Sequence, residues 1–120
     1  MAWKWLREDI KEGKDIEVLW DYTNTHGTLV AQLYHKQIAF PLGNVWFRAE
    51  GDRISILQSY VHEDLRRCGV RSRIHEEMLE WYSEDFYTYS STRKSKPWLE
   101  KMGFTKDSGG WRLKREETGS

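Results

Sequence analysis

The chain has 120 residues, which is enough for one domain with a real hydrophobic core. Its 19 basic and 19 acidic residues give a formal net charge of zero, which argues against a protein whose whole surface binds nucleic acid or an anionic membrane. A single cysteine, Cys68, excludes an intramolecular disulfide, the N-terminal segment is charged, and no apolar run reaches the roughly 18 residues of a membrane span. We therefore expect a soluble cytoplasmic protein without a signal peptide.

The first half of the chain has the pattern of one helix followed by an antiparallel meander. Trp3, Leu6 and Ile10 recur at helical spacing and predict a short amphipathic helix over residues 3–11. Four segments rich in apolar residues follow, and turn signals separate them. The predicted strands cover residues 16–22, 28–34, 45–49 and 54–61.

The hydrophobic period changes to that of a helix in the second half. Apolar residues recur at helical spacing from Leu65 to Tyr82, which predicts the longest helix of the chain. A short aromatic strand is predicted over residues 86–89.

A second helix is predicted next, with Ser95 as its cap and Pro97 in its first turn, where proline is tolerated. Gly103 is a normal helix-stop residue and should end it. Short strands are expected near Phe104 and over residues 111–113, and residues 116–120 should form a frayed tail.

The main chemical signal is the turn between the fourth strand and the long helix. Gly69 precedes that helix, whose first backbone N–H groups have no internal partner and, with the helix dipole, form an anion site. Four arginines crowd this positive end, where each exposed cation costs about 0.3–1 kcal/mol unless an anion is bound. These are Arg66, Arg67, Arg71 and Arg73, and a pyrophosphate suits their guanidinium groups. The alternative is a solvated basic helix start with an ordinary loop glycine.

Two motifs, with the predicted elements between them, resemble those of a known family. Residues 66–71 read Arg-Arg-Cys-Gly-Val-Arg, and residues 98–104 end in Gly-Phe after a short helix. The chain thereby resembles the GNAT superfamily of N-acetyltransferases, in which a strand leads into an Arg/Gln-x-x-Gly-x-Gly/Ala turn that opens a helix. The resemblance covers residues 28–114. It implies an α/β fold with a mixed, mostly antiparallel sheet flanked by helices, in a single domain over residues 1–120.

The resemblance also implies a function. It is that of an acetyl-CoA-dependent N-acetyltransferase, which transfers the acetyl group directly to an amine without a covalent enzyme intermediate. Backbone groups of one set of residues would pair with the pantetheine arm and face the thioester: Ser59, Tyr60 and Val61. Backbone N–H groups of a second set would hold the pyrophosphate: Arg66, Arg67, Cys68, Gly69, Val70, Arg71 and Ser72. Thr92 falls where many members carry an Asn that contacts the cofactor.

Three features depart from the family pattern. Arg71 replaces the second small residue of the turn, and its side chain would either clamp a phosphate or obstruct it. Leu99 stands where many members have a Tyr that protonates the leaving thiolate, so that acid is missing or comes from elsewhere. The N-terminal part is too short for the two helices that usually form the acceptor side. The acceptor site is then open or completed by another subunit, which leaves a homodimer open.

Acetyl transfer needs groups that move protons. We predict Tyr89 as the catalytic acid, because it ends the strand beside the cofactor strand; the alternative is one more aromatic packed on the sheet. Cys68 lies beside arginines that favour thiolate, but no His partner can be identified, so we interpret it as an ordinary turn cysteine. His26, His35 and His75 show no metal-ligand spacing, and we predict no metal.

Two other functions remain open at this point. Leu99 and Arg71 motivate a non-catalytic module with a degenerate GNAT fold that binds acyl-CoA or a protein. A nucleic-acid-binding sheet with stacked aromatics is less favoured, because the net charge is zero and the seven tryptophans form no repeat. We interpret those tryptophans as core residues. The acceptor amine is not identified by the sequence.

Overall fold

The computed structural model describes residues 3–23, 27–89 and 96–115. Helix α1 (Lys4–Glu12) precedes four strands, and a 3-10 turn (Glu63–Leu65) separates the last of these from the longest helix. The remaining elements alternate between strands and a short helix. In chain order they are β1 (Ile16–Tyr22), β2 (Leu29–His35), β3 (Gly43–Glu50), β4 (Arg53–Val61), α2 (Val70–Trp81), β5 (Asp85–Thr88), α3 (Lys96–Lys101), β6 (Thr105–Asp107) and β7 (Gly110–Leu113).

The predicted elements are present, and most of their ends shift by one or two residues. The prediction that the long helix starts at Leu65 is wrong. Residues 66–69 form a turn in which Arg67 and Gly69 have φ values of 67° and 98°, so a right-handed helix cannot pass through them. The predicted cap Ser95, the predicted contact Thr92 and the tail over residues 116–120 lie outside the described residues.

The strands form one seven-stranded sheet in the order β1-β2-β3-β4-β5-β7-β6. Neighbours are antiparallel except for β4 and β5, which run parallel because the chain crosses over through α2. This is the mixed, mostly antiparallel sheet that the resemblance implied. No helix in the described ranges is long and apolar enough to span a membrane.

One hydrophobic cluster joins the helices to the sheet. Leu6 and Ile10 of α1 and Ile74 and Met78 of α2 are fully buried together with alternate residues of the central strands, such as Phe47. Fully burying a side chain of this size contributes about 1.5–3 kcal/mol, so this cluster fixes α2 against the sheet.

The interpretation of the tryptophans as core residues holds only in part. Trp111 is 5% exposed, but Trp5 and Trp81 are 43% and 67% exposed. A domain of this size has too little interior to enclose seven such side chains, so several of them pack at its surface.

Candidate functional site

The two parallel strands at the centre of the sheet, β4 and β5, separate halfway along β4. β5 pairs with β4 only as far as Thr88 opposite Ile56, whereas β4 continues to Val61. β4 also carries one extra residue, Leu57, because Ile56 and Gln58 face consecutive residues of β3. Such a bulge bends a strand and increases its local twist. The sheet therefore has an opening beside the last residues of β4, within the part of the chain that the structure describes.

Backbone groups of β4 line this opening. The His62 N–H donates to the Leu42 carbonyl at 3.0 Å, which fixes the register of hydrogen bonds between β3 and β4. Bonded and non-bonded pairs alternate in an antiparallel ladder, so Tyr60 bonds to β3. The N–H and C=O groups of Ser59 and Val61 are then directed away from β3, into the opening. Of the three predicted residues, two therefore present backbone groups there.

The start of α2 lies just beyond the end of β4. Gly69 is the N-cap residue and has no side chain that could accept the first helical N–H groups. A Cβ atom at this position would meet nothing within 4 Å, so the glycine is explained by its φ of 98° rather than by lack of space. The N–H groups of the first turn have no partner inside the helix, and this end of α2 attracts anions.

The side chain of Arg7 orients the turn before α2. Its Nη1 donates to the carbonyl oxygens of Asp64 and Arg66, at 3.0 and 2.9 Å. In a planar trans peptide the N–H points opposite to the C=O, so the N–H of Arg67 is directed away from Arg7. This contact between α1 and the turn could not be read from the sequence, because 57 residues separate Arg7 from Asp64.

The four arginines at this helix start have different surroundings. Arg66 and Arg67 are exposed. The Arg71 guanidinium lies 3.8 Å from the centre of the Trp98 ring, and burial lowers the pKa of Arg71 from its ordinary value. Arg73 instead donates to the Lys11 carbonyl at the end of α1, at 3.2 Å. Arg73 therefore links two helices, while the first two arginines remain accessible beside the turn.

Cys68 is part of the turn but is buried, with 3% of its surface exposed. Its thiol donates to the Leu65 carbonyl at 2.8 Å, and burial raises the pKa of the thiol. A thiol in this state is a poor nucleophile at neutral pH. This geometry matches the interpretation of Cys68 as an ordinary turn cysteine.

Solved structures share this arrangement of elements, although no protein-family model and no curated protein matches the chain. The E. coli protein YhhK, described as an N-acetyl transferase and solved with coenzyme A bound, has a TM-score of 0.64 at 16% identity, over 82% of this chain and 97% of its own. Arabidopsis thaliana Naa50, in complex with the bisubstrate analogue CoA-Ac-MVNAL, has a TM-score of 0.56 at 19% identity, over 66% and 58%. A protein of Desulfovibrio desulfuricans, described as a GNAT-family acetyltransferase, has a TM-score of 0.53 at 14% identity, over 72% and 69%. The chain has the GNAT fold.

In this GNAT fold the predicted acid Tyr89 follows β5 directly, and its side chain is 51% exposed. Its hydroxyl accepts from Arg53 Nη2 at 2.9 Å and lies 3.4 Å from a Glu50 carboxylate oxygen, to which it can donate. The side chain therefore leans towards the start of β4. The Arg53 guanidinium lies 4.1 Å from the centre of the Tyr87 ring, and Tyr87 pairs with Ser55, which comes before the opening on β4. The structure does not bring the Tyr89 hydroxyl together with the backbone groups of the opening.

Leu99 is 1% exposed and belongs to the hydrophobic core, so its position offers no proton donor. Trp98 of the same helix donates from Nε1 to Ser72 Oγ at 3.1 Å. The Arg71 guanidinium lies over the face of the Trp98 ring. α3 therefore packs on the first turn of α2 through Trp98. This role of Trp98 could not be read from the sequence, although Trp98 begins the second family-like motif. A single helix, α1, precedes β1 in the described residues.

One group of potential metal ligands occurs in the described residues. Atoms of Asp9, Asp15 and His35 lie within 4.8 Å of one another. Both ring nitrogens of His35 already have partners: Nε2 lies 2.9 Å from the Asp9 carboxylate, and Nδ1 accepts from the Gln37 N–H at 3.1 Å. The donor set therefore does not fit a metal site, because the ring has no lone pair to offer. The His35–Asp9 contact ties α1 to β2.

Proposed function

We propose that this protein is an acetyl-CoA-dependent N-acetyltransferase that transfers the acetyl group directly to an amine. The observation that carries the proposal is the opening between β4 and β5, which leads to the uncapped N-terminus of α2. A ligand with an amide-containing arm and a pyrophosphate matches both parts. The coenzyme A bound to YhhK and the CoA-linked analogue bound to Naa50 support this choice, since both proteins share the fold.

The proposed cofactor site is built mainly from backbone. N–H and C=O groups of Ser59 and Val61 would hydrogen-bond the pantetheine arm as an added strand would. The turn N–H groups over residues 66–72 would hold the pyrophosphate, and Arg66 and Arg67 would add positive charge beside it. Thr92 stays a proposed contact.

The reaction that we propose forms a C–N bond and breaks the C–S bond of the thioester. The amine loses a proton to a base, directly or through water, and the leaving thiolate gains one. An N–H of the opening can stabilise the negative charge that develops on the carbonyl oxygen. Tyr89 remains our candidate for the proton donor, and this role requires its hydroxyl to leave Arg53 and Glu50.

A thermal-shift titration with acetyl-CoA, CoA and ATP in parallel tests the binding site. A ligand at 100 times its dissociation constant stabilises a fold by about 2.7 kcal/mol, which corresponds to several degrees in Tm. We expect this shift with acetyl-CoA and CoA and little with ATP, because only the first two fill the strand opening. Arg66→Gln should weaken CoA binding by about threefold to tenfold, since an exposed cation beside the pyrophosphate is lost.

Lys101→Gln is the matched control for this titration. It also removes one exposed cation, but from the C-terminal end of α3 and not from the turn over residues 66–72. CoA binding should be unchanged in that variant. The absence of a shift with either CoA species would overturn the proposed cofactor site.

Tyr89→Phe tests the proposed proton donor. We expect kcat for a good amine acceptor to fall by about 100-fold or more, while KM for acetyl-CoA stays the same, because the hydroxyl acts only in the chemical step. Steady-state kinetics over a pH range are the measurement. Tyr87→Phe is the control, because the Tyr87 hydroxyl lies 3.3 Å from the Asp107 carbonyl, buried in the fold. An unchanged kcat in Tyr89→Phe would assign the proton donor elsewhere.

A non-catalytic acyl-CoA-binding module is the second candidate. Two observations favour it: Leu99 offers no acid, and the Tyr89 hydroxyl is tied to Arg53 and Glu50. A clear thermal shift with CoA, combined with no turnover on small amines, peptide N-termini or lysine peptides, would select this candidate over the enzyme.

A further inference from the structure

The outer strand of the sheet, β1, has an unpaired backbone edge. Thr23 N–H donates to the Thr28 carbonyl at 2.9 Å, and Lys36 N–H donates to the Asp15 carbonyl at 3.0 Å. Both bonds fit one register, in which the odd-numbered residues of β1 bond to β2. The N–H and C=O groups of residues 16, 18, 20 and 22 therefore point outwards, where the described residues provide no further strand.

At one end of this edge, the outward N–H group already has a hydrogen-bond partner in the same strand. The Tyr22 N–H donates to the Asp21 carboxylate at 2.9 Å. The outward groups of Ile16, Val18 and Trp20 remain, and they form an edge long enough to pair with an extended segment of about five residues.

A groove runs beside this edge, between β1 and α2. Its volume is about 430 Å³, comparable with that of small-molecule sites. Ile16 and Val18 contribute an apolar floor. One wall carries three carboxylates of α2, those of Glu76, Glu77 and Glu80. Glu17 also lines the groove, but its side chain alternates to the other face of the strand.

The side chains of the described residues give the groove a net negative charge. None of the three α2 carboxylates takes part in an ion pair within the described residues, and Glu77 accepts a hydrogen bond from Trp81 Nε1 at 3.3 Å. Arg73 also lines the groove and offsets one of the three negative charges, while its Nη2 donates to the Lys11 carbonyl. The chain as a whole has no net charge, so this excess is a local feature.

An aromatic pair adjoins the same strand and helix. The ring centroids of Trp20 of β1 and Trp81 of α2 lie 6.2 Å apart in an edge-to-face arrangement, and the Trp81 residue is 67% exposed. A single exposed tryptophan needs no explanation, but one placed beside an unpaired edge gives an added strand a ring on which an apolar or cationic side chain can rest.

We propose that β1 and this acidic groove form a docking site for an extended basic segment of a partner protein. The segment would add to the sheet as a strand beside Ile16, Val18 and Trp20. The same residues direct their side chains towards α2, so every second side chain of an added strand would enter the groove. Lysine or arginine at those positions meets the three carboxylates of α2. The backbone edge supplies affinity, and the charge selects a basic sequence.

A second copy of this chain is a poorer occupant of the edge. Symmetric antiparallel pairing of β1 centred on Leu19 would place Glu17 opposite Asp21 of the other copy, and like charges in direct cross-strand pairs destabilise a sheet. It would also bring two acidic grooves together. The site is distinct from the cofactor opening, because β1 lies three strand spacings, or about 14 Å, from β4.

The test uses the full chain and a synthetic nonapeptide of alternating arginine and valine with blocked ends. Arginine rather than lysine avoids a reactive amine, so the result does not depend on the proposed acetyl transfer. Two further probes are an alternating glutamate and valine peptide, and the arginine peptide with N-methyl groups on alternate amides, which keeps the charge but cannot pair. Isothermal titration calorimetry at two salt concentrations gives the affinities. We expect the arginine peptide to bind at least about tenfold more tightly than both other probes.

Protein variants locate the site. Glu76→Gln with Glu80→Gln should weaken binding of the arginine peptide by about tenfold or more, because two exposed carboxylates of the groove are lost. Glu8→Gln with Glu100→Gln removes the same charge from other exposed positions and should leave binding unchanged. Val18→Pro removes an outward N–H from the edge and should have a similar effect to N-methylation of the peptide.

Three results would overturn the proposal. They are equal binding of the N-methylated peptide, equal loss in the Glu8 and Glu100 control, and no binding of the arginine peptide at millimolar concentration. A dimer in size-exclusion chromatography that Val18→Pro converts to a monomer would instead assign the edge to a second copy. The Glu76 and Glu80 variant keeps the test valid if Val18→Pro fails to fold.

Discussion

Replacing Gly43 by alanine is expected to destabilise the protein by about 1–3 kcal/mol and to weaken CoA binding. A Cβ atom at Gly43 would lie 2.7 Å from Val70 Cγ1 and 2.8 Å from the Tyr60 carbonyl oxygen, both too close for real contacts. Val70 begins α2, and Tyr60 lies in the ladder between β3 and β4. Either the helix start or the end of β4 must move, and the proposed cofactor site uses both.

Urea denaturation and the CoA titration measure the two effects of Gly43→Ala, and Val70→Ala provides the control. Val70 is 1% exposed, so Val70→Ala alone should cost stability through the lost methyl groups. In the double variant the clash with Cγ1 is gone, and we expect its free energy of unfolding to exceed the value calculated by adding the two single effects. Unchanged stability and unchanged CoA affinity in Gly43→Ala would contradict the close packing of α2 on β3.

The second expected result is a loss of stability below pH 6.5 that depends on His75. This side chain of α2 is 1% exposed and packs against the rings of Phe86, Trp98 and Phe104, at centroid distances of 5.4, 5.5 and 5.6 Å. Its Nε2 has no hydrogen-bond partner in the described part of the chain. Burial, together with the positive charges of Arg71 and Arg115, lowers the pKa of His75 from 6.5 to about 4.

The sign of this pH effect follows from proton binding. Between pH 6.5 and pH 4 the unfolded chain binds a proton at His75 and the folded protein does not, so the free energy of unfolding falls as the pH falls through this window. A pKa difference of this size lowers the free energy of unfolding by about 3 kcal/mol once the pH is below both pKa values. Above pH 6.5 the contribution of His75 to the free energy of unfolding does not change with pH.

His75→Leu should flatten this pH dependence, because it removes the titrating group and keeps an apolar side chain of similar size at the centre of the aromatic cluster. The measurement is urea denaturation of both proteins at several pH values between 4 and 7.5. The informative quantity is the difference between the two pH profiles, since other groups titrate in both proteins. Parallel profiles would show that His75 does not remain neutral in the folded state.

Local pattern was sufficient to predict most elements of this fold. Alternating apolar and polar residues predicted β1 over Ile16–Tyr22 with both ends correct, because one face of this strand packs inwards. The same kind of pattern misplaced the start of α2. Leu65 is fully buried and continues the apolar period, but its backbone belongs to a 3-10 turn. Hydrophobic periodicity reports which side chains are buried, and it does not report the backbone conformation that buries them.

The candidate site was predictable where it depends on a local sequence motif. Gly69 and the arginines around it indicated a candidate anion-binding turn without any structure. The individual roles of those arginines were not predictable: Arg71 is held by Trp98, and Arg73 by the end of α1. These partners lie far away in the sequence. Alternation in the ladder also decided that Ser59 and Val61, rather than Tyr60, direct backbone groups into the opening.

The sequence by itself determined the order of the helices and strands, the position of the basic turn and the lack of net charge, because these depend on the residue types and on neighbouring residues. Only the tertiary structure decided where β4 and β5 part, where the Tyr89 hydroxyl points and which carboxylates share the groove beside β1. These features depend on the packing of elements that are distant in the chain. Side chains at such distances meet through the summed burial of the whole core, which no local pattern contains.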